Sequence, residues 1–225
     1  MKDEVEYHGD LTDHAPKRSE TELADKGADL VWATCTDPLP TPEQVREGLN
    51  DDHWRVRLAW ANRMDWTPTR EQAWKGVNDD DVDVRYAWAE RIDWTPAYKH
   101  VERGLQDVHS DIRRMWSKRM DFTATRKQVE RGLSDYSWEV REAWVKRMDW
   151  TPTSKQIETG LNDRACTVRE SWAERMDWTP TPEQIERGLN DLSGDVRNIW
   201  MERLRMEQER LMKMDSEHDL LGVSL

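Results

Sequence analysis

The chain has 225 residues, about one and a half ordinary domains by length, and a formal net charge of −12. That excess of carboxylates argues against a general DNA- or RNA-binding surface, which needs clustered Lys and Arg to displace phosphate counterions; an anionic membrane would repel the chain for the same reason. Its two cysteines, Cys35 and Cys166, are too few for a zinc or cluster site built from four thiolates.

The first ten residues, MKDEVEYHGD, contain no apolar core of a signal peptide, and no run approaches 18 apolar residues. The expectation is a soluble protein of the reducing cytoplasm. Residues 1–18 are polar, of mixed charge, and hold Gly9 and Pro16; they form an expected flexible acidic arm. Ser19-Glu20-Thr21-Glu22 has the form of a capping box and predicts a helix to about Ala33. This half-repeat would cap the array that follows.

One stretch then recurs, most clearly as WAERMDWTPTPEQIERGLND from Trp172 to Asp191. Trp32, Trp60, Trp88, Trp116, Trp144, Trp172 and Trp200 are spaced by 28 residues without a gap. Asp51 to Asp191 and Arg57 to Arg197 form two further ladders with the same period of 28. A fixed period in this range is the signature of a solenoid. Thr181 is a good N-cap, Pro182 suits the first helical position, and Gln184 completes a capping box. A helix of about two turns then runs to Gly188, expected as its stop. Thr41, Pro42, Gln44 and Gly48 repeat the pattern, and Gly76, Gly104, Gly132 and Gly160 close the other copies.

Asp191 and its equivalents are expected to N-cap a longer second helix. In the copy after Asp51, Val56, Ala59, Trp60, Arg63 and Met64 fall at spacings of 3 and 4, on one helical face. Pro68, Pro96, Pro152 and Pro180 are expected to bar its continuation. Residues 19–203 thus hold the repeats, and 204–225 a C-terminal extension whose helix continues to about Met214 before fraying. Leu204 and Leu211, with Met201, Met212 and Met214, leave two uses open: a cap helix, or a dimerisation helix giving a homodimer. Cys35 and Cys166 lie more than four repeats apart, roughly 40 Å at ~10 Å per helix layer. That is far beyond disulfide reach.

The pattern D-x-x-x-x-V-R-x-A-x-A, followed by a proline-containing turn and a short E-x-I/V helix, resembles the leucine-rich repeat variant and the short HEAT-like, armadillo-type repeats. The resemblance covers residues 32–203. It implies an all-α, right-handed α-solenoid of six 28-residue helix-turn-helix repeats, capped at both ends, with second helices lining the concave surface. Trp stands where the family commonly has Ala, Val or Leu. The cysteine-rich segment that accompanies an iron–sulfur cluster in some relatives is missing, so no cofactor is expected.

Positions constant in every copy cannot read different parts of a partner. The Trp ladder is therefore expected to fill the gaps between layers. The series Arg63, Arg91, Arg119, Arg147, Arg175 and Arg203 is expected to stack on it or to pair with Asp65, Asp93, Asp121, Asp149 and Asp177. Stacking on single-stranded nucleic acid is opposed by the net charge. Trp66, Trp94, Phe122, Trp150 and Trp178 are likewise expected in the core.

Three tryptophans stand outside both ladders. Trp74 occupies a position filled elsewhere by Arg46, Glu102, Glu130, Glu158 and Glu186, normally a solvated one. Trp54 and Trp138 share a second-helix position with Val82, Ser110, Cys166 and Gly194; four residues on, the stripe continues through Leu58, Tyr86, Arg114 and Glu142. Trp54, Leu58, Trp74, Val82, Tyr86, Arg114, Trp138 and Glu142 are the candidate partner-binding residues, for another protein or an extended peptide. Local packing between second helices is the competing explanation.

No catalytic, cofactor or metal residues are expected. His8, His14, His53, His100, His109 and His218 lack ligand spacing, and no phosphate loop or nucleophile elbow is present. The expected function is a non-enzymatic protein-binding scaffold or adaptor that uses the concave face of the solenoid. The alternative is an acidic nucleic-acid-mimicking inhibitor of the phage or mobile-element type. A DNA-processing enzyme, by analogy with HEAT-like glycosylases, is opposed by the missing basic stripe.

Overall fold

A computed structural model describes residues 39–222. The expected arm, the N-terminal cap helix with Trp32, and Cys35 lie outside these residues, as do the side chains of Leu211 and Met214. The described residues form twelve α-helices and no strand, and divide between Trp66 and Thr67 into two compact units.

In the first unit, α1 (Pro42–Gly48) packs on α2 (Trp54–Asn62). In the second, five pairs follow: α3 (Arg70–Gly76) with α4 (Val82–Glu90), α5 (Tyr98–Gly104) with α6 (Ser110–Lys118), α7 (Arg126–Leu133) with α8 (Trp138–Val145), α9 (Ser154–Gly160) with α10 (Cys166–Glu174), and α11 (Pro182–Leu189) with α12 (Gly194–Gly222). Each first helix packs on its own second helix, and α4, α6, α8, α10 and α12 lie side by side in order. The second unit is an all-helical repeat solenoid. Its last helix runs to Gly222, past the expected end at Met214.

First helices begin as the sequence predicts. Thr41, Thr69, Thr125, Thr153 and Thr181 form capping boxes with Gln44, Gln72, Gln128, Gln156 and Gln184. At α5, Ala97 and His100 replace the pair, and the Ala97 N–H donates to His100 Nδ1 at 3.0 Å.

The closing glycines have a reason other than the expected one. They sit inside or at the end of their helices, and the residue after α1, Leu49, is still right-handed helical (φ −74°, ψ −9°). What requires glycine is close approach: a Cβ on Gly48 would lie 1.9 Å from Trp60 Nε1, and one on Gly132 2.0 Å from Trp144 Nε1. Each ladder indole lies flush against the backbone of its partner helix. Trp60, Trp88, Trp116, Trp144, Trp172 and Trp200 are all buried. The second aromatic ladder is less deep. Trp94 is buried, while Phe122, Trp150 and Trp178 are half-buried. Their edges meet the indoles of the next repeat, with Trp94–Trp116 at 6.3 Å and Trp150–Trp172 at 6.1 Å between centroids.

Second helices start two residues later than expected. Their N-caps are His53, Asp81, His109, Ser137 and Ala165. The ladder aspartates stand before the caps, and Asp107, Asp135, Asp163 and Asp191 each accept the backbone N–H two residues on.

Proline is not the terminator either. Helices α2, α4, α6 and α10 end at Arg63, Arg91, Arg119 and Arg175, whose backbones turn extended (ψ 125–131°). Before α7, Ala124 stands in place of the proline, yet α6 ends at the same point of the repeat. The arginines supply the reason. Arg63, Arg91, Arg147 and Arg175 each hold the aspartate two residues on through Nε and Nη2. Residues i and i+2 face apart on a helix but together on an extended chain, so the pair needs the helix to stop. The residue between them is turned outward. Met64, Ile92, Met120, Met148 and Met176 are therefore more than half exposed, and Met64 does not join the apolar face expected for it.

Candidate interaction surface

Two arginine ladders fix the frame on which the surface residues sit. The buried one reaches back to the preceding repeat. Arg147 donates to the carbonyls of Ser117, Arg119 and Phe122; Arg175 donates to those of Val145, Arg147 and Trp150. These carbonyls lie at or just beyond the end of the preceding second helix, where a cation is favoured. The same guanidiniums lie over the aromatic rings, Arg175 at 4.4 Å from Trp150 and 5.8 Å from Trp172. Both expected uses, stacking and aspartate pairing, occur together. Arg203 has Arg205 where the other copies have aspartate, and burial pushes it down to about 10.

The second ladder reaches forward. Arg113 Nε and Nη2 hold Asp135 at 2.7 Å each, and Arg141 holds Asp163 likewise. Arg85–Asp107 and Arg169–Asp191 repeat the bidentate pair. Each arginine also donates from Nη1 into the loop before its own helix: Arg113 to Asp107 and Val108, Arg141 to Asp135 and Tyr136. Arg197 holds Asp191 and Leu192 in the same way.

The loop backbone is thus anchored while the tip side chain is released to solvent. Val108 is 83% exposed, Tyr136 102% and Leu192 98%. The equivalent residues are Asp80 and Arg164, both exposed, so this position differs in every copy of the second unit. Two residues past Tyr136, Trp138 opens α8 and is 41% exposed. Cys166 occupies the same position in α10 as an exposed free thiol.

The stripe residues sit on the second helices, and most of them are only partly open. Val82, Tyr86, Arg114 and Glu142 are half-buried. Burial, followed by the neighbouring Glu90, raises the Tyr86 hydroxyl above its ordinary pKa. Arg114 lies 3.4 Å from Asp111, and Lys146 bonds Glu142 at 2.6 Å. Trp54 and Leu58, half-buried in the first unit, occupy the same positions of α2; Trp54 stacks on His53 with centroids 6.2 Å apart. Trp74 is set apart from the stripe, on first helix α3. It is half-buried rather than solvated, with its edge to His100 at 5.7 Å and Lys99 4.6 Å from the ring. His100 itself is fully buried, edge-on to Trp94 at 5.1 Å, and its Nε2 lies 3.2 Å from the Arg70 carbonyl. With Nδ1 accepting from Ala97, Nε2 carries the proton and the ring is neutral.

Sequence comparison of the copies missed the loop tips, although their variation was as visible as that of the stripe. It also missed the exposed series Ile92, Met120, Met148 and Met176, because an apolar residue constant from copy to copy reads as core. Among the described residues, no group of three or more His, Cys, Asp or Glu is placed to hold a metal, and no helix is long and apolar enough to cross a membrane.

No family model and no curated protein matches the chain. Among solved structures, it is similar to a leucine-rich repeat variant with a novel repetitive protein structural motif, at 20% identity, over 78% of this chain and 82% of that one, with a TM-score of 0.41.

Proposed function

We propose that the protein is a non-enzymatic scaffold that binds another protein or an extended peptide along the loop tips and second-helix row of its second unit. One observation carries this. At Val108, Tyr136 and Leu192 an arginine-anchored backbone presents a fully open apolar side chain that differs from copy to copy. A constant frame with variable tips suits recognition, and the stack has no use for these side chains. Tyr136 and Trp138 together supply the aromatic anchors typical of binding hot spots.

Phosphate mimicry is weaker. Asp107, Asp135, Asp163 and Asp191 are held by arginines and are not a free anionic row. Residues 1–38, outside the described stack, contain ten Asp or Glu and four Lys or Arg, and so carry half of the net charge of −12.

The test compares the protein with a Tyr136→Ser/Trp138→Ala variant as bait in extracts of the source cells, read by quantitative mass spectrometry. A protein partner retained at least tenfold better by the parent, with equal melting temperatures, is the expected result. Truncating hot-spot residues typically costs about 2 kcal/mol, roughly thirtyfold in affinity. Identical capture by parent and variant would remove the tips from the binding surface.

A further inference from the structure

At two junctions of the second unit, α5 with α7 and α9 with α11, a glutamate of one first helix receives an arginine from the next. Glu102 accepts from Arg131 at 3.2 Å, from Gln128 at 2.7 Å and from Gln106 at 2.8 Å. Glu158 accepts from Arg187 at 2.5 and 2.9 Å, with Gln184 and Asn162 beside it. The arginine and these amides hold Glu158 down at about pKa 2. At the junction between α9 and α11, where Arg187 fills the slot, the cavity is only about 10 Å³.

The junction between α7 and α9 keeps the glutamate, Glu130, and the first-turn glutamine, Gln156, but two of the three partner positions change. Thr159 stands where the other two have Arg131 and Arg187, and Ser134 where they have Gln106 and Asn162. The Thr159 hydroxyl turns back to the Lys155 carbonyl of its own helix. A cavity of about 310 Å³ opens here, lined by Trp172, Leu133, Glu130, Gln156 and Thr159 among others.

We propose that this cavity is a receptor slot for an arginine side chain of a partner polypeptide, which takes the place of the arginine missing at position 159. Its methylene stem lies along Leu133 and Trp172, and its guanidinium meets Glu130. Arg126, the present partner of Glu130 at 2.8 Å, is a surface ion pair of small worth and is displaced. Arg141, also at the wall, is neutralised by Asp163. Lys155 at the rim offers the opposite possibility, a carboxylate ligand, which the test separates. The slot lies on the first-helix row and stands independently of the loop-tip surface.

The probe is the blocked tripeptide Ala-Arg-Ala, titrated into the full-length protein while the Gly160 amide and Trp172 indole N–H resonances are followed by NMR. Saturable shifts at both are expected, at least tenfold weaker for Ala-Lys-Ala and lost in Thr159→Arg, which fills the slot from within. Glu130→Gln should weaken binding at least tenfold and decides the matter if Thr159→Arg folds poorly. No saturable shift in the parent, undiminished shifts in both variants, or binding of Ala-Glu-Ala instead would overturn the proposal.

Discussion

At Gly132 an added Cβ would stand 2.0 Å from Trp144 Nε1, inside any permitted contact. The expected effect of Gly132→Ala is therefore opposite to the usual one. In an ordinary helix the change stabilises by up to about 1 kcal/mol. Here the indole must move within a packed interior, where overpacking costs about 1–3 kcal/mol. Urea unfolding should give a lower midpoint for the variant, and a raised midpoint would refute the close approach. The periodic glycines were plain in the sequence, but their purpose was not. Residue type shows that a Cβ is unwanted, and both a left-handed turn and a flush indole produce that demand. Met64 was misplaced for a related reason. Its spacing from Trp60 fits a helical face, but the chain has left the helix at Arg63.

The short first helices depend on their capping boxes, and α5 depends on a histidine. Burial first, then the charges of Lys99 and Arg70, holds the His100 imidazole below its ordinary range. The unfolded chain takes up that proton near pH 6.5, while the folded chain does so only at lower pH. Between the two values the unfolded state binds more protons, so stability falls as the pH drops below about 6.5. His100→Gln restores the side chain found in the other copies. Urea midpoints measured from pH 7 to 5 should decline in the parent and decline less in the variant; parallel curves would remove His100 as the cause. Most of this level was legible. Capping boxes, helix pairs and the Trp and Arg ladders follow from repetition, which marks shared needs. The helix ends were not, because proline and the Arg–Asp pair both occupy the same short turn, and only the Ala124 copy separates their effects.

In the second unit stability is approximately a sum of repeat and junction contributions, and three junction carboxylates make that sum depend on acid. Burial alone would raise Asp107, Asp163 and Asp191; the preceding arginine and the backbone N–H two residues on outweigh it and hold them below the usual range. A depressed folded pKa gives stability that is present above the unfolded value, near 3.9, and lost as pH falls through the folded one. Urea unfolding at a series of pH values should therefore show a steep loss below about pH 4. Asp163→Asn should be less stable at pH 7 and fall less steeply in acid; an unchanged slope would mean the pair adds nothing to the linkage. The candidate surface was half legible. Trp138 stands out by composition, but the freedom of the Tyr136 side chain depends on Arg141 gripping the loop backbone and on Asp163, 22 residues further on, gripping Arg141. The forward and backward arginine contacts recur at the same offsets from copy to copy of the second unit. Cutting two copies at equivalent points and joining them leaves matching faces on either side of the seam. Unequal recombination between such tracts of a gene can thus lengthen or shorten the array by whole copies without inventing a new junction. The tract encoding Thr159 is one exception: each duplication of it would hand down another vacancy along with another repeat.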